Sequence, residues 1–259
     1  MLQRRAEFKP VTGWVEELIT SSAQQANNLP QRVSEILSHA LHSIGNKAVD
    51  IKRTSALCVA DRQYLMLCLA RLIGGDSVWL QGKCTACHEN FDVNIRQSEL
   101  PVQACGEGFP FVSVSLGRQS LTLRIPTGAD QQTIHGLARH EAIKTLLHDC
   151  IVTLRPDTDR HAFIESLSET EIDIIDDAFD RVSPSIGTGI QTNCPECQAS
   201  QVIQLDPYHL LQQPGGSLYQ DVHRIASHYH WNEQEILSLP RSRRQLYLHL
   251  IDSTQGIHG

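Results

Sequence analysis

Val78-Trp79-Leu80-Gln81-Gly82-Lys83-Cys84-Thr85-Ala86-Cys87-His88-Glu89-Asn90-Phe91-Asp92-Val93-Asn94-Ile95 is the stretch on which the fold turns. Val78 and Leu80 precede a Cys-x-x-Cys pair, and Phe91, Val93 and Ile95 alternate after it. That period-2 pattern predicts a short hairpin with the two cysteines at its tip. A later stretch repeats the plan: Ile190 precedes Cys194-Pro195-Glu196-Cys197, and Val202, Ile203 and Leu205 follow. Two intervening residues let one tight turn aim both sulfurs at a single point, and two such turns fill a closed four-thiolate site. Cys84, Cys87, Cys194 and Cys197 are therefore the candidate metal ligands, and the expected ion is one structural zinc per chain. Iron suits the same donor set. A redox dithiol or two unrelated pairs of surface thiols are the alternatives.

Between Cys87 and Cys194 lie 106 residues, against the roughly 15–20 of a compact ribbon. The site is thus split, which the chain tolerates because closure cost grows only logarithmically with loop length. His88 could stand in for a sulfur, but directly after the turn it reads as an exposed turn residue. Of the other cysteines, Cys58, Cys68 and Cys150 lie in helix-like apolar patterns and read as small buried hydrophobes. Cys105, in a Gly-rich loop, has no assigned role.

The chain around these hairpins has 259 residues, 41% of them hydrophobic and 20% charged, with a formal charge of −7. Length predicts one or two domains with a core of useful size. The apolar content excludes a disordered chain. Net charge argues against bulk polyanion binding. No apolar stretch reaches the length of a membrane span, and the basic start at Arg4-Arg5 is not followed by the apolar segment of a signal peptide. A reducing compartment is expected, which favours metal over disulfides for the eight cysteines.

Periodicity fills in the rest. Residues 11–20 suit a short helix, and 21–30, polar and ending at Pro30, a linker or cap. Val33, Ile36, Leu37, Leu41 and Ile44 predict a helix over 31–44, stopped by Gly45. Leu57 to Ile73 is apolar nearly all round and is expected at the centre, with Asp61-Arg62 as a solvated or locally paired interruption. Residues 112–116 and 121–125 alternate and form another hairpin through 117–120. Asp130 reads as the N-cap of a helix to about Leu154. Ser168-Glu169-Thr170-Glu171 is a capping box that opens a helix burying Ile172, Ile175, Phe179 and Val182. Its acidic face (Glu169, Asp173, Asp176, Asp177, Asp180) reads as solvated. After Pro214-Gly215-Gly216, the stripe Leu218, Val222, Ile225, Tyr229 and a helix after Pro240 form a module too small for an independent core. It should dock on the main domain or on a partner.

The expected class is α+β: a mainly helical core with small antiparallel hairpins, a split zinc-ribbon-like site and a C-terminal helical module. The expected division is an N-terminal helical arm (1–52), a core with two knuckle hairpins (53–212) and a docking module (217–254). No catalytic pattern is present. His140-Glu141-Ala142-Ile143-Lys144 lacks the second His of a helical zinc-protease motif. Cys194-Pro195-Glu196-Cys197 is unaccompanied by the His-x-Glu of a zinc deaminase. Four thiolates leave a metal no open coordination position. The chain is read as a non-enzyme.

Val11-Thr12-Gly13-Trp14-Val15-Glu16-Glu17 and Leu29-Pro30 before a helix carry a resemblance to a known family. So do Asp61-Arg62-Gln63-Tyr64-Leu65-Met66-Leu67 running into Gly74-Gly75-Asp76, and Leu123-Arg124-Ile125-Pro126-Thr127-Gly128-Ala129-Asp130. In this order, with the two Cys pairs, residues 11–206 resemble the T-even-type phage baseplate hub assembly chaperone family. The tail, from Leu218-Tyr219-Gln220-Asp221-Val222 through Trp231 to Arg241-Ser242-Arg243-Arg244, is similar to a helical module found in gene clusters of contractile injection systems. The resemblance implies protein contacts with baseplate, hub or spike subunits. It also implies a cytoplasmic location during assembly, with the assembled particle as a second place. Arg241, Arg243, Arg244 and Trp231 are the candidate partner-binding residues. The competing reading is a nucleic-acid-binding zinc-ribbon protein that uses the same arginines.

Overall fold

The computed structural model describes residues 5–24, 28–117, 119–212 and 216–255. Strand β1 (Ala6–Phe8) opens the chain, followed by helices α1 (Gly13–Gln24) and α2 (Leu29–Ala40). Asn28 caps α2 by accepting from the Gln31 amide, and Pro30 sits in the first turn, where a missing N–H costs nothing. The helix expected to reach Ile44 ends at Ala40. Residues 41–44 instead form strand β2 (Leu41–Ile44), antiparallel to β1, with Leu41 and Ser43 buried and His42 exposed. The apolar residues there fit either period, and the partner strand β1 decides between them. Gly45 and Asn46, both at positive φ, turn β2 into β3 (Lys47–Ala48). Gly45 is thus a hairpin turn and not a helix stop.

After α3 (Ile51–Ser55), α4 (Val59–Gly74) takes the expected central place. Leu65, Met66, Leu69 and Ala70 pack into a core with Val15, Ile19, Val33, Ile36 and Leu37 of α1 and α2. Leu67 meets a small cluster around Leu100 and Leu205. Cys58 caps the helix and reaches a third core. Each large apolar side chain buried in this way contributes about 1.5–3 kcal/mol. Arg62 corrects the reading of the Asp61-Arg62 interruption. It is 0% exposed, and its guanidinium donates to Ser34 Oγ and the Thr54 carbonyl, both at 2.8 Å, and to the Pro30 carbonyl at 2.5 Å. It is an internal tie between α2, α3 and α4.

Strands β4 (Ser77–Lys83) and β5 (Asn90–Arg96) form the first knuckle hairpin, and β6 (Val102–Gln103) follows. Strands β7 (Phe111–Leu116) and β8 (Gln119–Arg124) form the second expected hairpin. The helix expected from Asp130 to Leu154 is replaced by α5 (Gly128–Thr133), α6 (Arg139–Cys150) and strand β9 (Ile151–Thr153). Thr127 is the N-cap of α5, and Asp130 is its reciprocal partner three residues on. Gly136 at φ 82° separates the helices, and β9 adds to β8. Helices α7 (Arg160–Glu165) and α8 (Glu169–Val182) pack with α6 against this sheet. The Ser168 capping box is present, and Asp173, Asp176, Asp177 and Asp180 lie exposed.

Strand β10 (Ser185–Ile186) pairs with β6. The second knuckle hairpin is β11 (Gly189–Asn193) with β12 (Ser200–Gln204). Helices α9 (Gly216–Tyr229), α10 (Glu233–Ser238) and α11 (Arg241–Gln255) enclose a core of Leu218, Val222, Ile225, Ile236, Leu237, Leu248 and Ile251. Asn232 and Glu235 cap α10 reciprocally. Of the expected Pro214-Gly215-Gly216 break, 214–215 lie outside the described residues and Gly216 already opens α9; the expected linker over 21–30 is largely helical, with 21–24 in α1 and 29–30 in α2, while 25–27 lie outside the described residues.

Candidate metal centre

The two knuckle turns are built alike. In the first, the Cys84 amide donates to the Glu89 carbonyl and the His88 amide to the Cys84 carbonyl. In the second, the Cys194 amide donates to the Ala199 carbonyl and the Gln198 amide to the Cys194 carbonyl. His88 and Gln198 hold matching left-handed positions, at φ 65° and 62°. His88 is therefore an exposed turn residue and no part of the cysteine group.

The hairpins meet at their tips. Phe91 and Ile203 pack with Cys84 and Cys194 in one small cluster. Ile203 reaches across Gly82, where a Cβ would lie 2.6 Å from its Cδ1. The sulfurs of Cys84 and Cys197 are 3.6 Å apart, those of Cys87 and Cys194 3.7 Å. All four lie within 4.8 Å of one another. With metal–sulfur bonds of about 2.3 Å, a tetrahedral ion needs sulfurs about 3.8 Å apart. The donor set and spacing fit a tetrahedral ion held by Cys84, Cys87, Cys194 and Cys197. Cys84 and Cys194 are buried, and Cys197 is exposed.

Electrostatics at the centre favour a cation. The Cys87 amide, assisted by the Ala86 amide and the Cys87 and Cys197 thiols, draws the Cys84 thiol down to about 6 against the cost of burial. Cys87 goes up to about 12. The Glu89 amide pulls it down, but desolvation and the crowding of Cys84, Cys197 and Cys194 outweigh that pull. One thiolate forms readily and the next resists; a bound cation would ease that resistance by offsetting part of the thiolate charge.

Gln201 is the residue that the cysteine spacing does not reveal. Buried between the turns, its Oε1 accepts from the Thr85 amide at 3.1 Å and from the Thr85 hydroxyl at 3.2 Å. Its Nε2 donates to Cys84 Sγ at 3.4 Å. A side chain of the second hairpin thus clamps the first turn and feeds a hydrogen bond to a ligand sulfur. A Gln one residue into a strand carries no sequence signal for this. The remaining cysteines lie elsewhere: Cys58 and Cys150 are buried in the β7–β9 core, and Cys68 and Cys105 are half-buried.

The basic cluster near the C-terminus largely faces inward. Arg241 Nη1 lies 2.6 Å from Glu16 Oε2, and Arg244 pairs with the other carboxylate oxygen. Arg244 is 0% exposed and also donates to the Leu239 carbonyl at 2.9 Å. These bonds fasten α11 to α1. Trp231 is half-buried, stacked on Tyr229 at 5.2 Å and edge-on to Tyr247 at 4.9 Å. Arg243 alone of the four candidate partner-binding residues is exposed.

Fold and centre together define a small α+β protein whose distant hairpins converge on four cysteines, a scaffold more than a cleft. The chain belongs to the T4 bacteriophage base plate protein family, which it matches over residues 2–209. Its role is baseplate-related, structural or in assembly. No curated protein and no solved structure matches it. Helices α9–α11 lie beyond the matched span. No helix among the described residues is long and apolar enough to cross a membrane.

Proposed function

We propose that this baseplate-family protein is a non-enzymatic hub or baseplate factor of a contractile tail-like particle, acting in the cytoplasm during assembly. The family membership carries this reading. The particle's hub, spike and baseplate subunits are the partners it implies. The four-cysteine centre holds zinc as a structural ion and supplies tetrahedral cross-linking, not chemistry on a substrate. Cys84, Cys87, Cys194 and Cys197 bind it, and Gln201 orients the first turn. The C-terminal unit, 217–254, presents Arg243 and the outer side of the Trp231 cluster to a partner. A nucleic-acid role through the same basic stretch is disfavoured, because Arg241 and Arg244 are engaged in a shared ion pair with Glu16 and Arg244 is buried.

Nuclease-treated affinity purification from cells expressing the surrounding gene cluster, followed by mass spectrometry, tests this. Co-eluting hub, spike or baseplate subunits are expected. Their absence, with nucleic acid retained before nuclease treatment, would overturn it. Finding the chain in purified particles as well would make it a permanent component.

A further inference from the structure

The surface between α6, α8 and the start of α4, bordered also by residues 125–126 and 183–186, holds a groove of about 460 Å³ that no part of the described chain fills. Ile143 and Leu146 of α6 and Ile172 and Phe179 of α8 line it, and the first three are half-buried, so apolar surface is open to solvent. Along one rim stand Asp173, Asp176 and Asp180, at helical spacings of three and four. None of these carboxylates forms an ion pair among the described residues. Desolvation, then the charges of Asp180, Asp177 and Asp173, raises the Asp176 carboxyl. Arg139, at the start of α6, is the one cation of the lining. An apolar floor with an excess of uncompensated negative charge on its rim is complementary to an amphipathic helix with a basic polar face.

We infer that the α6–α8 groove is a docking site for a basic amphipathic helix of another protein. A second copy of this chain fits poorly. It carries the same charge of −7, and its Arg241 and Arg244 are bound to Glu16. The surface is separate from α9–α11, so the inference stands apart from the hub reading and from the docking role given to 217–254.

The probe is a fluorescein-labelled helical peptide of about 14 residues, with Leu at the anchor spacing of one face and Lys on the other. Its anisotropy is read with the full chain at about 50 and about 300 mM salt. Saturable binding that weakens with salt is expected. Asp173→Asn, Asp176→Asn and Asp180→Asn together should weaken it about tenfold, and a peptide with Ser replacing Leu should not bind. All three aspartates are exposed, so the variant should fold; an unchanged melting temperature checks this. The control set Asp92→Asn, Asp157→Asn and Glu233→Gln removes equal charge elsewhere and should change affinity less than about twofold. Equal weakening by both sets would mean bulk charge alone and overturn the inference. So would no binding to the unsubstituted chain, undiminished binding of the Ser peptide, or a groove-dependent dimer in sedimentation.

Discussion

Asp130 shows how much one side chain can carry when its partners are arranged around it. Both oxygens meet Arg124, Oδ1 to Nη2 and Oδ2 to Nη1, each at 2.6 Å. Oδ2 also accepts from the amide and the hydroxyl of Thr127, each at 2.7 Å. Burial raises the carboxyl's pKa, but the Arg124 and Thr127 bonds outweigh it and leave it below the ordinary aspartate range. A depressed folded value contributes stability above the unfolded value of about 3.9, and loses it as pH falls through the folded one. Asp130→Asn should therefore cost stability at neutral pH. Breaking a buried pair costs roughly 3–5 kcal/mol, and solvent access to Arg124 puts this one at or below the lower end. The melting-temperature gap to the unsubstituted chain should be steady from about pH 7 to 5 and close below about pH 4. The same gap at pH 3 as at pH 7 would contradict this role.

At the scale of elements, what the sequence made legible tracks how local each interaction is. The knuckle hairpins, the β7–β8 hairpin and the cap at Ser168 were readable because turn, cap and alternation are all encoded within a few residues. The strands β2 and β9 were not, because each exists by virtue of a distant partner: β1, 36 residues upstream for the Ser43–Glu7 pair, and β8. Arg62 and Arg244 look like surface charges in sequence, since their partners are backbone carbonyls and an acid 228 residues away. The seat of α10 on α1 depends on such a distant match. Gly13 lets the helices touch; a Cβ there would lie 2.7 Å from Leu237 Cδ2 and 2.8 Å from Leu237 Cα. The Cδ2 atom can rotate away, but the backbone atom cannot. Gly13→Val should cost about 1–3 kcal/mol by overpacking. It should also break the Trp14 Nε1 to Ser238 Oγ bond of 3.2 Å. Calorimetry reads the first effect and Trp14 fluorescence the second; a variant unchanged in both would mean that α10 is not seated there.

For the whole molecule, a metal held by the four cysteines would be a long-range link of coordinate-bond strength, joining hairpins on either side of the β7–β9 sheet in sequence. Cross-linking a loop of about 100 residues withdraws roughly 4–5 kcal/mol of unfolded-chain freedom, on the chain-entropy account. The cores of α1, α2 and α4 and of α9–α11 contain none of the four cysteines. Metal removal should therefore act unevenly. Purified under reducing conditions, the chain should hold about one ion, and a tetrahedral thiolate site favours zinc; visible absorption would instead mark iron. Stripping the metal, or pairing Cys84→Ser with Cys194→Ser, should lower the melting temperature by about 10 °C or more, given that 1 kcal/mol moves a chain of this size about 2–4 °C. Amide exchange should accelerate in 77–96 and 189–204 while α9–α11 keeps its protection, because an ion at this centre would tie the hairpins and the C-terminal core contains none of its four cysteines. Cys68→Ser, away from the centre, should keep the metal and serve as control. Because thiolates must form for the ion to bind, retention should also fail as pH drops. An unchanged melt after complete removal would show that the packing of Phe91 and Ile203 closes the hairpins by itself, and the ion would then have no structural part.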